Sequence, residues 1–237
     1  MRSIRMAKKK RSKTDYDVIY SDRDIIVTDK PAGLLSVPIR GMQTVNLQEM
    51  LQFDLGSDDI RPAHRIDRYT TGIVIFAGNR PAWRHLVKQF RNHEPERVYL
   101  ALIRGTPKKT EGTLVHYMKR IKKGFRNVVV PGPDKGGTKA VLHYRVVKTY
   151  GDISLVAIRL ETGLKNQIRV QFETIGHPMV GDRHYSPKEI NEPAIDRQAL
   201  HAAELTIVHP DNGQSMTFKS PLPKDMNKVI EYYKTRK

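Results

Sequence analysis

Seven residues without a polar side chain, Gly72 to Gly78 (GIVIFAG), form the longest such run in the chain. A transmembrane helix needs about 20 apolar residues, so this run is far too short to span a bilayer. No long apolar segment follows the N-terminus, which argues against a secretory signal. Ile73 to Ala77 instead predicts a buried central strand, and the other elements must be arranged around it. Ile25 to Val27 predicts a further strand running into a turn at Pro31 and Gly33, and Asn46 to Phe53 a short helix with Leu47, Met50 and Leu51 on one side. Asn79 and Pro81 suit the start of a helix whose Trp83, Leu86, Val87 and Phe90 form an i, i+3, i+4, i+7 stripe. Trp83 reads as core packing.

Tyr99 to Ile103 and Ala199 to Val208 predict two more strands. Ser154 to Glu161 alternates, with Val156, Ile158 and Leu160 on one face. Thr162 is positioned to cap a helix in which Leu164, Ile168, Phe172 and Ile175 share a face, ended by Gly176 and Pro178. A short polar helix or tail closes the chain. Strand and helix patterns mix without regular βαβ alternation, which predicts an α+β fold with a largely antiparallel mixed sheet flanked by helices and loops.

The 237 residues carry 42 Lys or Arg against 25 Asp or Glu, a formal charge of +17. A field of that sign draws in polyanions, so nucleic acid is the first partner to consider, ahead of an anionic membrane surface. Seven basic residues and no acid occupy positions 1–13, and residues 1–14 are expected to be a disordered arm able to lie along phosphates. Residues 15–237 are then expected to form one domain, without a separate module ahead of it. Residues 97–148 hold thirteen Lys or Arg against Glu111 and Asp134, in apolar pieces divided by Gly and Pro that predict hairpins. Phe125 among the cations Lys119, Arg120, Lys122, Lys123 and Arg126 tips that stretch toward an RNA-gripping surface over a merely solvated one. Cysteine is absent, which excludes disulfides and thiol catalysis and is compatible with a reducing cytoplasm.

Asp67, in HRIDRYTTG, stands where an Arg-rich loop meets the buried strand, beside Thr70, Thr71 and Gly72. From the local sequence alone, an ion pair with Arg65 or Arg68 competes with a catalytic role. Arg169 lies one residue from an apolar stripe, where it can pair with Glu173 at i+4 or reach a buried carboxylate and keep it ionised. Tyr99 reads as core, or as a ring that stacks on a base. Four scattered histidines, His64, His177, His184 and His201, lack the tight spacing of a metal site.

Six segments in order resemble the RluA-type RNA pseudouridine synthases. They are DKPAGLLSVP from Asp29, RPAHRIDRYTTGIVIFA from Arg61, RVYLALIRG from Arg97, ETGLKNQIRVQFETIGHPMVGDRHY from Glu161, RQALHAAELTIVHP from Arg197, and FKSPLP from Phe218. The resemblance implies the pseudouridine synthase fold. It also implies an essential carboxylate at Asp67, an active-site tyrosine at Tyr99 and an arginine pairing with that carboxylate at Arg169. The chain departs from the family pattern at Leu164, Lys165 and Asn166, where RNA contacts are therefore in doubt, while Gln167, Ile168 and Arg169 are intact. The RNA-binding module that many relatives carry ahead of the catalytic domain has no counterpart in the residues before the first strand.

The implied reaction breaks the glycosidic bond of a uridine in ribosomal or transfer RNA, turns the uracil and rejoins it through carbon. It implies no cofactor and no metal. The target atoms are hidden in a base stack, so the nucleotide is expected to flip out, with Arg65 filling its place. RNA contacts are expected at His64, Arg65, Arg68, Thr71, Lys165, Asn166 and Gln167, and along the basic stretch. Ile66, Ile73 and Ile168 read first as core and second as apolar walls of the pocket. A cytoplasmic monomer with RNA as its partner is expected. Two rival readings stand beside this one: a non-catalytic RNA-binding or ribosome-assembly factor, and a metal-dependent phosphoesterase on His64, Asp67, His177 and His201.

Overall fold

A computed structural model describes residues 16–41, 43–121, 126–186 and 195–235. The basic arm at 1–14 and the cations Lys122 and Lys123, with Phe125, lie outside the described residues. Among the described residues, eleven strands join in one sheet: β1 (Asp17–Ser21), β2 (Ile25–Lys30), β3 (Arg61–Pro62), β4 (Thr71–Ala77), β5 (Glu96–Arg104), β6 (Glu111–Arg120), β7 (Asn127–Val130), β8 (Thr138–Tyr150), β9 (Ile153–Leu160), β10 (Leu200–Val208) and β11 (Ser215–Lys219). Four α-helices accompany them: α1 (Leu47–Leu55), α2 (Arg80–Arg91), α3 (Gln167–Thr174) and α4 (Lys224–Thr235). The main path runs β1-β2-β4-β10-β5-β9-β8-β6-β7, with β3 beside β4 and β11 beside β10. Its strands pair antiparallel except β4 with β10, so the expected mixed, mostly antiparallel α+β architecture is present.

The apolar run that opened the sequence is β4, buried along its whole length. Its alternate side chains serve two cores: Val74 and Phe76 join Leu47, Leu51 and Phe172 on one face, while Ile73, Ile75 and Ala77 join Ala82 and Leu86 of α2 on the other. Each such burial contributes about 1.5–3 kcal/mol, which is why a strand of this composition lies inside the sheet. Ile73 thus belongs to the face opposite Tyr99 and is not a wall of any cavity at Asp67.

Asn46 and Asn79 cap α1 and α2, each accepting a backbone N–H from the third helical residue. The start of α3 differs from the expectation. Thr162 caps no helix; its hydroxyl donates to Gln167 Oε1 at 2.8 Å and accepts from Val141 N at 2.8 Å. The helix begins at Gln167 behind Asn166, whose φ of 56° is left-handed. A turn around Gln167 replaces the first helical turn, and Leu164 packs elsewhere, near Met118 and Val170. The closing helix α4 is amphipathic and not merely polar, burying Met226, Val229, Ile230 and Tyr233.

β4 and β10 meet in parallel at Thr71–His201 and Gly72–Ala202. Gly72 has φ 106°, and a Cβ there would lie 2.2 Å from the Ala202 carbonyl oxygen. Only glycine tolerates both the conformation and the approach.

Candidate active site

The loop that carries Asp67 is pinned from two sides. Ser36 Oγ donates to the Ile66 carbonyl at 3.0 Å and accepts from its N–H at 3.3 Å. The Arg68 carbonyl accepts from Gly33 N at 2.9 Å and from Lys30 Nζ at 3.0 Å. Lys30 is fully buried at the end of β2, and its ammonium also donates to the Pro31 and Leu34 carbonyls, both at 2.8 Å. Burial and the Arg197 cation push it down to about 7, opposed by Asp67 and Asp29. From the other side, Arg197 Nη1 donates to the Tyr69 carbonyl and Gln198 Nε2 to Thr70 Oγ1, both at 3.3 Å. Arg197 is itself held by Asp225 of α4 at 2.6 and 2.9 Å.

Asp67 opens into a cavity of about 710 Å³ whose lining includes His64, Ile66, Arg97, Tyr99, Leu160, Lys165 and Ile168. Arg169 Nη1 stands 3.6 Å from Asp67 Oδ2, and the Asp67 side chain is a quarter exposed. The local alternative of a pair with Arg65 or Arg68 is not what forms: Arg68 donates Nε to the Gly33 carbonyl at 2.8 Å and lies over the Tyr69 ring. Nor does Arg169 turn to Glu173. Its Nε and Nη2 form a bidentate pair with Asp182, at 2.7 and 2.8 Å, and Nη1 also donates to Asn166 Oδ1 at 3.1 Å. Burial opposes the charge on Arg169, yet Asp182 and Asp67 hold its pKa above the ordinary value.

Tyr99 sits at the centre of β5, 8% exposed, with its ring among the buried residues of the cavity-side core. Burial raises its phenol pKa; Arg97, on the same face two residues earlier, opposes that, and Asp67 reinforces it. Arg97 approaches Gly163 through Nη1, which a Cβ there would meet at 2.8 Å.

Of the residues expected to contact RNA, His64, Arg65, Arg120, Lys165, Asn166 and Gln167 line the cavity. His64 does so as a neutral ring: Nε2 accepts from Ile75 N at 3.2 Å, the ring stacks on Phe90, and burial with the Arg97 cation lowers its pKa to about 3. Gln167 is almost fully buried and all of its amide bonds are internal. Thr71 is a correction: it is buried, and its hydroxyl faces His201 Nδ1 at 2.9 Å, a ring whose Nε2 meets the Ser220 carbonyl. Lys119, an exposed residue on β6, donates to the Lys135 carbonyl, and Arg126 lies over the Tyr185 ring. Nor do His64, His177 and His201 gather about Asp67 as the phosphoesterase reading needs, since His177 bonds the Arg104 carbonyl. Among the described residues, no group of three or more His, Asp or Glu is placed to hold a metal. Asp182, Lys30 and Tyr185 carry much of this arrangement, and residue-by-residue reading of the sequence did not single them out.

Residues 24–174 match the family model described as RNA pseudouridylate synthase. An RNA pseudouridine synthase of Bacillus subtilis, YlyB, is 36% identical over 92% of this chain and 72% of its own length. The dual-specificity RNA pseudouridine synthase RluA of Escherichia coli is 35% identical over 86% of this chain and 92% of its own. The ribosomal large subunit pseudouridine synthase D of Zymomonas mobilis is 31% identical over 91% and 72%. In fold, the chain is similar to human RNA pseudouridylate synthase domain containing 1, with a TM-score of 0.75 over 96% of this chain at 22% identity.

Proposed function

Because this chain belongs to the RNA pseudouridylate synthase family, and so is an isomerase that acts on RNA, we propose that Asp67, Tyr99 and Arg169 are its catalytic residues and that a uridine of ribosomal or transfer RNA is their substrate. One observation carries this reading: the Asp67 carboxylate opens into the cavity with a fixed cation 3.6 Å away, beside a buried tyrosine ring. The isomerisation exchanges the uracil N1–C1′ bond for a C5–C1′ bond, N1 gaining a proton and C5 losing one. Asp67, as nucleophile or base, starts that exchange. Arg169 faces the carboxylate as its counter-charge, and Tyr99 stacks on the base and takes part in proton removal after the ring rejoins. Nothing enters from outside in this scheme, so neither cofactor nor metal is required.

The uridine reaches the cavity by flipping, and Arg65 fills the place it leaves. Lys165 and the cations of the β6–β7 hairpin grip the phosphates, with the N-terminal basic arm as a further non-specific contact. We place the enzyme in the cytoplasm as a monomer; among the described residues no helix is long and apolar enough to cross a membrane. The test is Asp67→Asn, which replaces one carboxylate oxygen by an amide at nearly constant shape. Pseudouridine formation, read by carbodiimide labelling of total RNA, should vanish while RNA affinity is unchanged; turnover in the variant would overturn the assignment.

A further inference from the structure

Arg169 is connected to more than its two carboxylates. Two guanidinium groups approach the Tyr185 ring, which is 4% exposed: Arg126 Cζ is 4.6 Å from its centroid and Arg169 Cζ 4.9 Å. Its hydroxyl accepts from the Asn127 N–H at 3.1 Å and from Asn166 Nδ2 at 3.3 Å. Asn166, a position where the chain departs from the family pattern, thus touches Tyr185 with its amide nitrogen and Arg169 with its amide oxygen. It does so from a left-handed conformation that asparagine tolerates better than most residues. Asn127 also donates its side-chain amide to the Lys165 carbonyl. Asn127 opens β7, the last strand on the sheet path, with Arg126 immediately before it, and β7 pairs with β6 of the basic hairpin. Among the described residues Arg126 has no carboxylate partner, and its Nε is buried without a hydrogen bond. The tyrosine ring is its closest described side-chain contact, and among the described residues turning toward a phosphate breaks no ion pair.

Building on the assignment of Arg169 above, we propose that Tyr185 is a positioning residue that fixes the Arg169 guanidinium against Asp67 and ties it, through Arg126 and Asn127, to the hairpin that grips RNA. Seating of the hairpin on the phosphates is then transmitted to Arg169 through one aromatic ring and one asparagine. Two cations contact one ring, so a shift of Arg126 is felt by the ring that Arg169 also contacts.

The experiment uses Tyr185→Phe, Tyr185→Leu, Arg126→Gln and the double variant Arg126→Gln/Tyr185→Leu in the full chain. Two readouts are taken: the single-turnover rate at saturating RNA, and the side-chain NMR signals of Arg169 in the free protein. Tyr185→Leu should slow the saturated rate about tenfold with RNA affinity changed less than about twofold, and Tyr185→Phe should fall between it and wild type. The separate Nη signals of Arg169 should merge in Tyr185→Leu as rotation of the guanidinium is freed. The double variant should be no slower than Tyr185→Leu alone, because both changes cut one path. A wild-type saturated rate in Tyr185→Leu, Arg169 signals that do not change, or losses that multiply in the double variant would each overturn the proposal. If Tyr185→Leu does not fold, Tyr185→Phe and Arg126→Gln decide by the same measures. A wild-type protein that forms no pseudouridine would count against the functional reading alone, since the Arg169 signals are read without turnover.

Discussion

Arg169 makes its two shortest side-chain contacts with Asp182, at 2.7 and 2.8 Å, on the side of the guanidinium away from Asp67. Asp182 in turn accepts the backbone N–H groups of His184 and Tyr185 at 3.0 and 3.1 Å, so its carboxylate is fixed before it meets the arginine. A bidentate pair sets the plane of the guanidinium as well as its position. Asp67 therefore faces a cation that is held in place without its help, and its own oxygens stay available to the cavity.

Replacing Asp182 with Asn should separate that support from the chemistry. The amide offers one acceptor where the guanidinium needs two, and a buried cation loses most of its compensation. Chemical denaturation should show a loss of about 3 kcal/mol. Pseudouridine formation should fall about a hundredfold if Arg169 has the proposed role, since misplacement by about 1 Å has costs of that order. Wild-type activity in a folded Asp182→Asn protein would show that the remaining contacts of Arg169 orient it without the bidentate pair.

Lys30 gives the stability a specific pH dependence. Its amine is held near 7 in the folded protein against 10.5 as a free side chain, so between those values the unfolded chain binds more protons. Stability should therefore rise with pH across this window, with a slope approaching about 1.4 kcal/mol per pH unit. Lys30→Met should remove that slope while destabilising the protein overall, because the Pro31, Leu34 and Arg68 carbonyls lose their donor. Urea titrations at several pH values compare the two proteins; parallel curves would refute the account.

His64 acts in a lower window. Folded near 3 and unfolded near 6.5, it takes up its proton first in the unfolded chain, so folding stability should decline as pH falls from about 6.5 to 3. Its ring signals should show no titration down to pH 5, and a midpoint near 6.5 would mean that the Ile75 N–H does not occupy Nε2. His64→Phe should flatten the decline.

Gly72→Ala tests the junction between β4 and β10. The added carbon meets a backbone oxygen at 2.2 Å in a conformation alanine resists, so one strand must retreat. A loss of at least about 2 kcal/mol is expected, together with reduced activity, because Asp67 lies five residues before the clash. A denaturation midpoint matching wild type would show that the junction yields at no cost.

The parts of the fold legible in the sequence were those where burial on defined faces sets the pattern. β4, β9 and α2 show their periodicity because each packs on neighbours along its length. The start of α3 was not legible, since Thr162 has the chemistry of a cap and only the neighbouring Val141 backbone diverts it. At the site, segment resemblance drew attention to Asp67, Tyr99 and Arg169, and the fold brings all three to one cavity. Asp182 escaped notice because its partner is thirteen residues away across a loop, a relation no local period records. Lys30 escaped because a lysine ending a strand ordinarily reaches solvent, whereas this one is enclosed by carbonyls from three separate positions.

The splice of Thr71 and Gly72 to His201 and Ala202 also sets a timetable. The loop holding Asp67 is made early in synthesis, yet its fastening through Arg197, Gln198 and the second strand awaits residues some 130 positions later. A ribosome-bound chain has its carboxylate long before that carboxylate has a fixed place. Closure by so distant a pairing carries a loop-closure cost that slows it. The loop that carries Asp67 thus has no partner strand on that side until β10 has been made.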